Sequence, residues 1–64
     1  MDGRGFREWR STTGVTVGDL ARRLRCSPMR VHRVEDGSIP ARPGELTEWC
    51  EVVHVLRMDG RHGS

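Results

Sequence analysis

The chain has 64 residues, a mean hydropathy of −0.63 and a formal net charge of +2, and all 11 of its basic residues other than histidine are arginine. A chain this short supports one small domain, burying about 60% of its unfolded surface, and none of its apolar runs approaches the ~18 residues of a membrane-spanning helix. The opening MDGRGFREWR lacks the apolar centre of a signal peptide, so a cytoplasmic, nucleoid-associated protein is expected, with no membrane partner.

Residues 1–4 read as a flexible start. From Gly5 to Thr13 the chain places Phe6, Trp9 and Arg10 at i, i+3 and i+4, the spacing of one helix face. Gly14 then suits a helix stop in left-handed geometry. Thr16 is a good N-cap for a second helix, in which Leu20, Ala21 and Leu24 form the inward stripe while Arg22 and Arg23 point away. Arg25-Cys26 makes a tight turn. Ser27 caps a third helix, with Pro28 at its first position, where the missing amide costs nothing. Within that helix Val31 and Val34 face inward, whereas Met29, His32 and Arg33 fall on the opposite arc with Arg30 between. Asp36-Gly37 stops it.

Residues 38–44, SIPARPG, read as an irregular connector. A fourth helix is expected from Pro43 or Gly44 to Leu56, with Leu46, Trp49, Cys50 and Val53 inward and Glu45, Glu48 and Glu51 on the wet side. Residues 58–64 show no periodicity and read as a flexible tail. The expected fold class is therefore all-α: a compact four-helix domain over residues 5–57, with Phe6, Trp9 and Trp49 in its core.

Charge is unevenly spread. Residues 15–44 carry six arginines against Asp19, Glu35 and Asp36, whereas residues 45–64 carry Arg57 and Arg61 against four acids. A basic centre and an acidic end suit a polyanion on one face. Two helices joined by a tight turn, the second with arginines outward, are the parts of a helix-turn-helix that enters the DNA major groove.

The segments FREWR, VTVGDLARRL and CSPMRVHRVEDG, with Leu20, Ala21, Leu24, Val31 and Val34 as the apolar positions, make residues 5–56 resemble the lambda-repressor-like helix-turn-helix fold of the Xre/Cro family of phage and bacterial regulators. The resemblance implies a partly buried structural salt bridge between Arg10 and Glu35. Three departures stand out. Val17 occupies a position where the family often has a DNA-contacting glutamine. Arg25 occupies the turn position where the family usually has glycine, and positive φ is unfavourable for arginine. The family often adds a fifth, dimer-forming helix, for which this sequence is expected to have no room.

Within this motif, Arg30 and Arg33 are the candidates for reading bases or holding phosphate, since arginine bonds guanine O6 and N7 at two points. Met29 suits a thymine methyl, and His32 lies on the same arc. Thr16 and Ser27, with Pro28 beside it, stand at helix N-termini where phosphates bind. Ser38 and Arg42, just past the third helix, are further phosphate candidates. The expected function is sequence-specific binding of double-stranded DNA as a repressor- or Cro-like transcriptional regulator, with helix 27–36 in the major groove. One such helix reads few base pairs, so a homodimer is expected, with the 38–44 connector and Val52, Val55 and Leu56 as the candidate dimer surface.

Two alternatives use the same residues. In an excisionase-like recombination directionality factor, GSIPARPGEL would form a β-hairpin wing. An antitoxin or adaptor module would turn Val17 and Met29 to a protein. Ser, His and Asp side chains are not grouped as a catalytic set, and His32, His54 and His62 are too scattered for a metal site. Cys26 and Cys50 are each isolated and read as small buried apolar residues, not as a metal pair or a disulfide. No enzyme activity, cofactor, metal or small-molecule ligand is expected.

Overall fold

In the computed structural model, which describes residues 1–59, side-chain caps set the start of the first three helices. The Asp2 carboxylate accepts the Gly5 amide at 2.7 Å and opens α1, Gly3–Ser11. The Thr16 hydroxyl accepts the Asp19 amide at 3.1 Å and opens α2, Val17–Leu24. The Ser27 hydroxyl accepts the Arg30 amide at 3.2 Å and opens α3, Pro28–Glu35, with the proline in its first turn. Each cap satisfies an amide that has no partner inside its own helix. The fourth helix, α4, runs Glu45–Asp59. All regular structure among the described residues is helical.

Several expected boundaries shift. α1 begins two residues before Gly5, because Asp2 caps it, so Gly3 and Arg4 are helical and not a loose start. It also stops at Ser11, short of Thr13: the Thr12 and Thr13 amides turn back to the Trp9 and Arg10 carbonyls, and Gly14 leaves at φ +82°. Met58 and Asp59 belong to α4, not to a tail. The remainder of the 58–64 segment lies outside the described residues.

The core is Phe6, Val15, Leu20, Ala21, Val31, Val34, Trp49 and Val53, all buried. α1 packs on α3 and α4, and α2 packs on the same two helices, so α1 and α2 sandwich the apolar centre. Phe6 meets the edge of Trp49 with ring centroids 5.6 Å apart, an arrangement aromatic pairs favour. Trp9 departs from the expected core role. It is half-buried and lies edge-on to His54 at 5.4 Å, at the margin of the α1–α4 contact. Cys26 and Cys50 are likewise only half-buried, and both are free thiols. Burial pushes the Cys50 thiol above its ordinary range.

Two backbone positions govern how the helices meet. Gly3 lies directly on α3: a β-carbon there would overlap the Val34 carbonyl oxygen and sit 2.8 Å from its carbon. The bare backbone thus lets α1 approach the last turn of α3. Arg25 closes the α2–α3 turn at φ +60°, ψ +40°, the sole non-glycine residue in the left-handed region among the described residues. Its amide bonds the Arg22 carbonyl, and the Cys26 amide reaches the Ala21 carbonyl at 3.0 Å. These bonds hold arginine in a conformation costing about 1–2 kcal/mol for an L residue. Glycine avoids that cost but loses roughly 0.5–1 kcal/mol in chain entropy. Arg25→Gly is therefore expected to stabilise the domain by about 0.5–1 kcal/mol, raising its thermal unfolding midpoint by several degrees. An unchanged or lowered midpoint in a calorimetric scan contradicts a strained turn.

Candidate nucleic-acid interface

The candidate face is the outer arc of α3 with the helix ends around it. Inward, α3 buries Val31, Val34 and Glu35. Outward, Ser27, Pro28, Met29, His32 and Arg33 are exposed. Met29 keeps more than half of its surface in solvent, 58%, although it is a large apolar side chain. The 3.6-residue period accounts for the division, since positions 29, 32 and 33 share the arc opposite 31 and 34.

Thr16 is exposed at the start of α2. Val17, which follows it, is half-buried and packs against the core, so its apolar side chain serves the interior. Past α3, the Asp36 carboxylate accepts the Ser38 amide at 2.8 Å. The Ser38 hydrogen bonds are the largest influence holding the Asp36 carboxyl below its usual range. The chain then passes through an exposed Ser38 and Pro40, while Ile39 and Ala41 dip against the core. The Ile39 amide bonds the Arg33 carbonyl at 3.2 Å, fixing this connector to the last turn of α3. Residues 38–44 contain no strand.

The arginines of this region divide by environment. Arg33 is exposed and free of any ion pair among the described residues. Arg30 is different: one terminal nitrogen bonds both Glu45 carboxylate oxygens, at 2.8 and 2.9 Å, and the side chain is only 26% exposed. Glu45, expected on the wet side of α4, instead faces α3 and also accepts the Arg42 amide at 2.8 Å. One carboxylate thus ties the third helix, the connector and the start of the fourth helix together. Arg42 keeps its side chain exposed. Sequence spacing carries no signal of the Arg30–Glu45 contact, because the partners lie 15 residues apart across an irregular segment.

Behind this face stands Arg10. Its Nε and one terminal nitrogen bond the two Glu35 oxygens at 2.6 and 3.0 Å, and its other terminal nitrogen bonds the Val15 carbonyl at 2.7 Å. Glu35 is 2% exposed. This bridge holds the end of α3 to α1 and to the turn that leads into α2.

Comparison with known proteins agrees with this arrangement. A family model described as a helix-turn-helix domain matches residues 3–61. No curated protein and no solved structure gives a significant match.

Glu45 offers a test of how the face is braced. Burial raises its carboxyl, but the Arg30 bond and then the Arg42 amide outweigh this, leaving it below the ordinary value of 4.5. A carboxyl depressed in the folded state stabilises fully above its unfolded value, and that contribution fades as pH falls through the folded one. Between about pH 5 and pH 3 the native protein is therefore expected to lose more stability than Glu45→Gln does. Urea unfolding followed by circular dichroism across that range measures the difference, and parallel curves contradict the assignment.

Proposed function

Because the chain belongs to the helix-turn-helix domain family, we propose that it is a sequence-specific double-stranded DNA-binding transcriptional regulator of the repressor/Cro kind, related to the Xre/Cro group. The observation that carries this reading is the exposed arc of Met29, His32 and Arg33 on α3, framed by the exposed helix caps Thr16 and Ser27. In this reading α3 lies in the major groove with its Met29–Arg33 arc toward the bases. Arg33, exposed and without an ion pair among the described residues, bonds a guanine edge, and Met29 meets a thymine methyl. His32 flanks them.

Thr16, Ser27 with Pro28, Ser38 and Arg42 set the register on the phosphates. Arg30 is held by Glu45 through one terminal nitrogen; it braces α3, and its other two nitrogens are not committed to that partner. The strand-free connector over 38–44 favours this reading over an excisionase-like one, which requires a hairpin wing there. No helix among the described residues is long and apolar enough to cross a membrane, and the proposed location is the cytoplasm, at the nucleoid.

The proposed assembly is a homodimer on a two-fold site with half-sites about one helical turn apart. Of the surface considered for dimerisation, Val55 is 48% exposed, whereas Val52 and Leu56 are half-buried against the domain's own core. Val55 together with Met58, which is 86% exposed, is the apolar part of α4 left for a second copy.

Selection of bound duplexes from a random pool tests the reading. A short motif with dyad symmetry is expected to be enriched. Arg33→Ala is expected to lose preference at one base pair, a change of about 1–3 kcal/mol in discrimination. Absence of any enriched motif contradicts specific DNA reading. A motif unchanged in Arg33→Ala contradicts the role of that residue.

A further inference from the structure

One face with two exposed arginines remains unused by the helix-turn-helix itself. A surface groove on α1 is lined by Arg4, Arg7, Glu8, Arg10, Ser11 and Asp36. Arg4, Arg7 and Ser11 stand at i, i+3 and i+7, a single strip of the helix surface. Arg10 forms the floor, but all three of its guanidinium nitrogens are already committed to Glu35 and the Val15 carbonyl. The donors left for a ligand are those of Arg4 and Arg7.

Both are exposed, and neither enters an ion pair among the described residues. Arg4 is steered: its Nε reaches the Asp36 carbonyl at 3.4 Å, which carries its terminal nitrogens over the end of α3. Gly37, at φ +84°, leaves room for it, since a β-carbon there would sit 3.3 Å from the Arg4 Nε.

The position of this strip gives it meaning. The floor residue Arg10 bonds Val15 and Glu35, which immediately precede Thr16, the cap of α2, and Asp36, the end of α3. Those are two of the chain segments next to the proposed reading face, and Asp36, at the end of α3, itself lines the groove. Two like charges one helical turn apart repel each other slightly, and an anion bridging them removes that repulsion. A phosphodiester suits the fork geometry of guanidinium groups.

Resting on the DNA-binding reading above, we infer that Arg4 and Arg7 of α1 form an additional clamp on the DNA sugar-phosphate backbone, outside the segment read by α3. The clamp adds affinity without sequence preference. Glu8, in the same groove, opposes it. The Asp36 carboxylate accepts the Ser38 amide but keeps its charge, and opposes it too.

The test uses the full chain and a fluorescent duplex, with binding measured by anisotropy at several salt concentrations. Each phosphate contact contributes about 0.9 to the slope of log affinity against log salt. Arg4→Gln/Arg7→Gln is expected to flatten the slope by about 1.8 and to weaken binding roughly tenfold or more at low salt, with the selected base preference unchanged. Arg7→Gln alone is expected to give about half of the slope change. It removes no hydrogen bond within the described structure, so its helical circular dichroism is expected to match the native protein. Glu8→Gln is expected to tighten binding. Arg57→Gln, a charge loss on α4, is expected to leave the slope as it was. Native affinity and slope in the double variant overturn the clamp while leaving the DNA-binding reading intact. Failure of the native chain to bind any duplex overturns both.

Discussion

Everything in this small domain hangs from one buried carboxylate. Glu35 lies at the end of α3 with 2% of its surface exposed, and an ionised carboxylate taken from water is costly unless paired and fully hydrogen-bonded. Arg10 supplies that pairing at two points and spends its remaining nitrogen on the Val15 carbonyl. One guanidinium therefore joins α1, the turn before α2 and the last turn of α3. Apolar contacts among Phe6, Leu20, Val31 and Trp49 drive collapse but are indifferent to direction, whereas a fork-to-carboxylate bond has one orientation. That bond, with the bare backbone of Gly3 against Val34, sets where α3 sits and so which side chains it turns outward.

The arginines divide according to what surrounds them. Arg10 and Arg30 are structural, each matched to a glutamate from another part of the chain. Arg25 serves the backbone, holding a left-handed turn. Arg4, Arg7, Arg22, Arg23, Arg33, Arg42 and Arg57 remain exposed. The Arg10–Glu35 and Arg30–Glu45 pairs cancel in charge, so the net charge of +2 rests on the remaining side chains.

The helices were legible because their punctuation is local. Thr16, Ser27-Pro28 and Asp36-Gly37 mark ends through hydrogen bonds within three or four residues, and the inward stripe of α2 and α3 follows from the helical period. Less legible features depend on distant or solitary residues. Val15 is buried but lies between helices, outside any period. Trp9 has a core residue's spacing, yet it ends at the rim against His54. The early start of α1 rests on one aspartate among glycines. The Arg10–Glu35 pair was implied by family resemblance and by no spacing in this chain. The Arg30–Glu45 contact has no sequence signal, because its partners lie 15 residues apart across an irregular segment.

The claim that the Arg10–Glu35 bond orients α3 is tested most directly by a double-mutant cycle in urea unfolding, comparing Arg10→Met, Glu35→Leu and the two combined. Each single replacement is predicted to cost about 3–5 kcal/mol, because it strands a buried charge, while the combined variant, with apolar groups on both sides, costs less than either single one. Single variants that each lose under about 1 kcal/mol, or a combined variant that loses the sum of the two, would contradict the account.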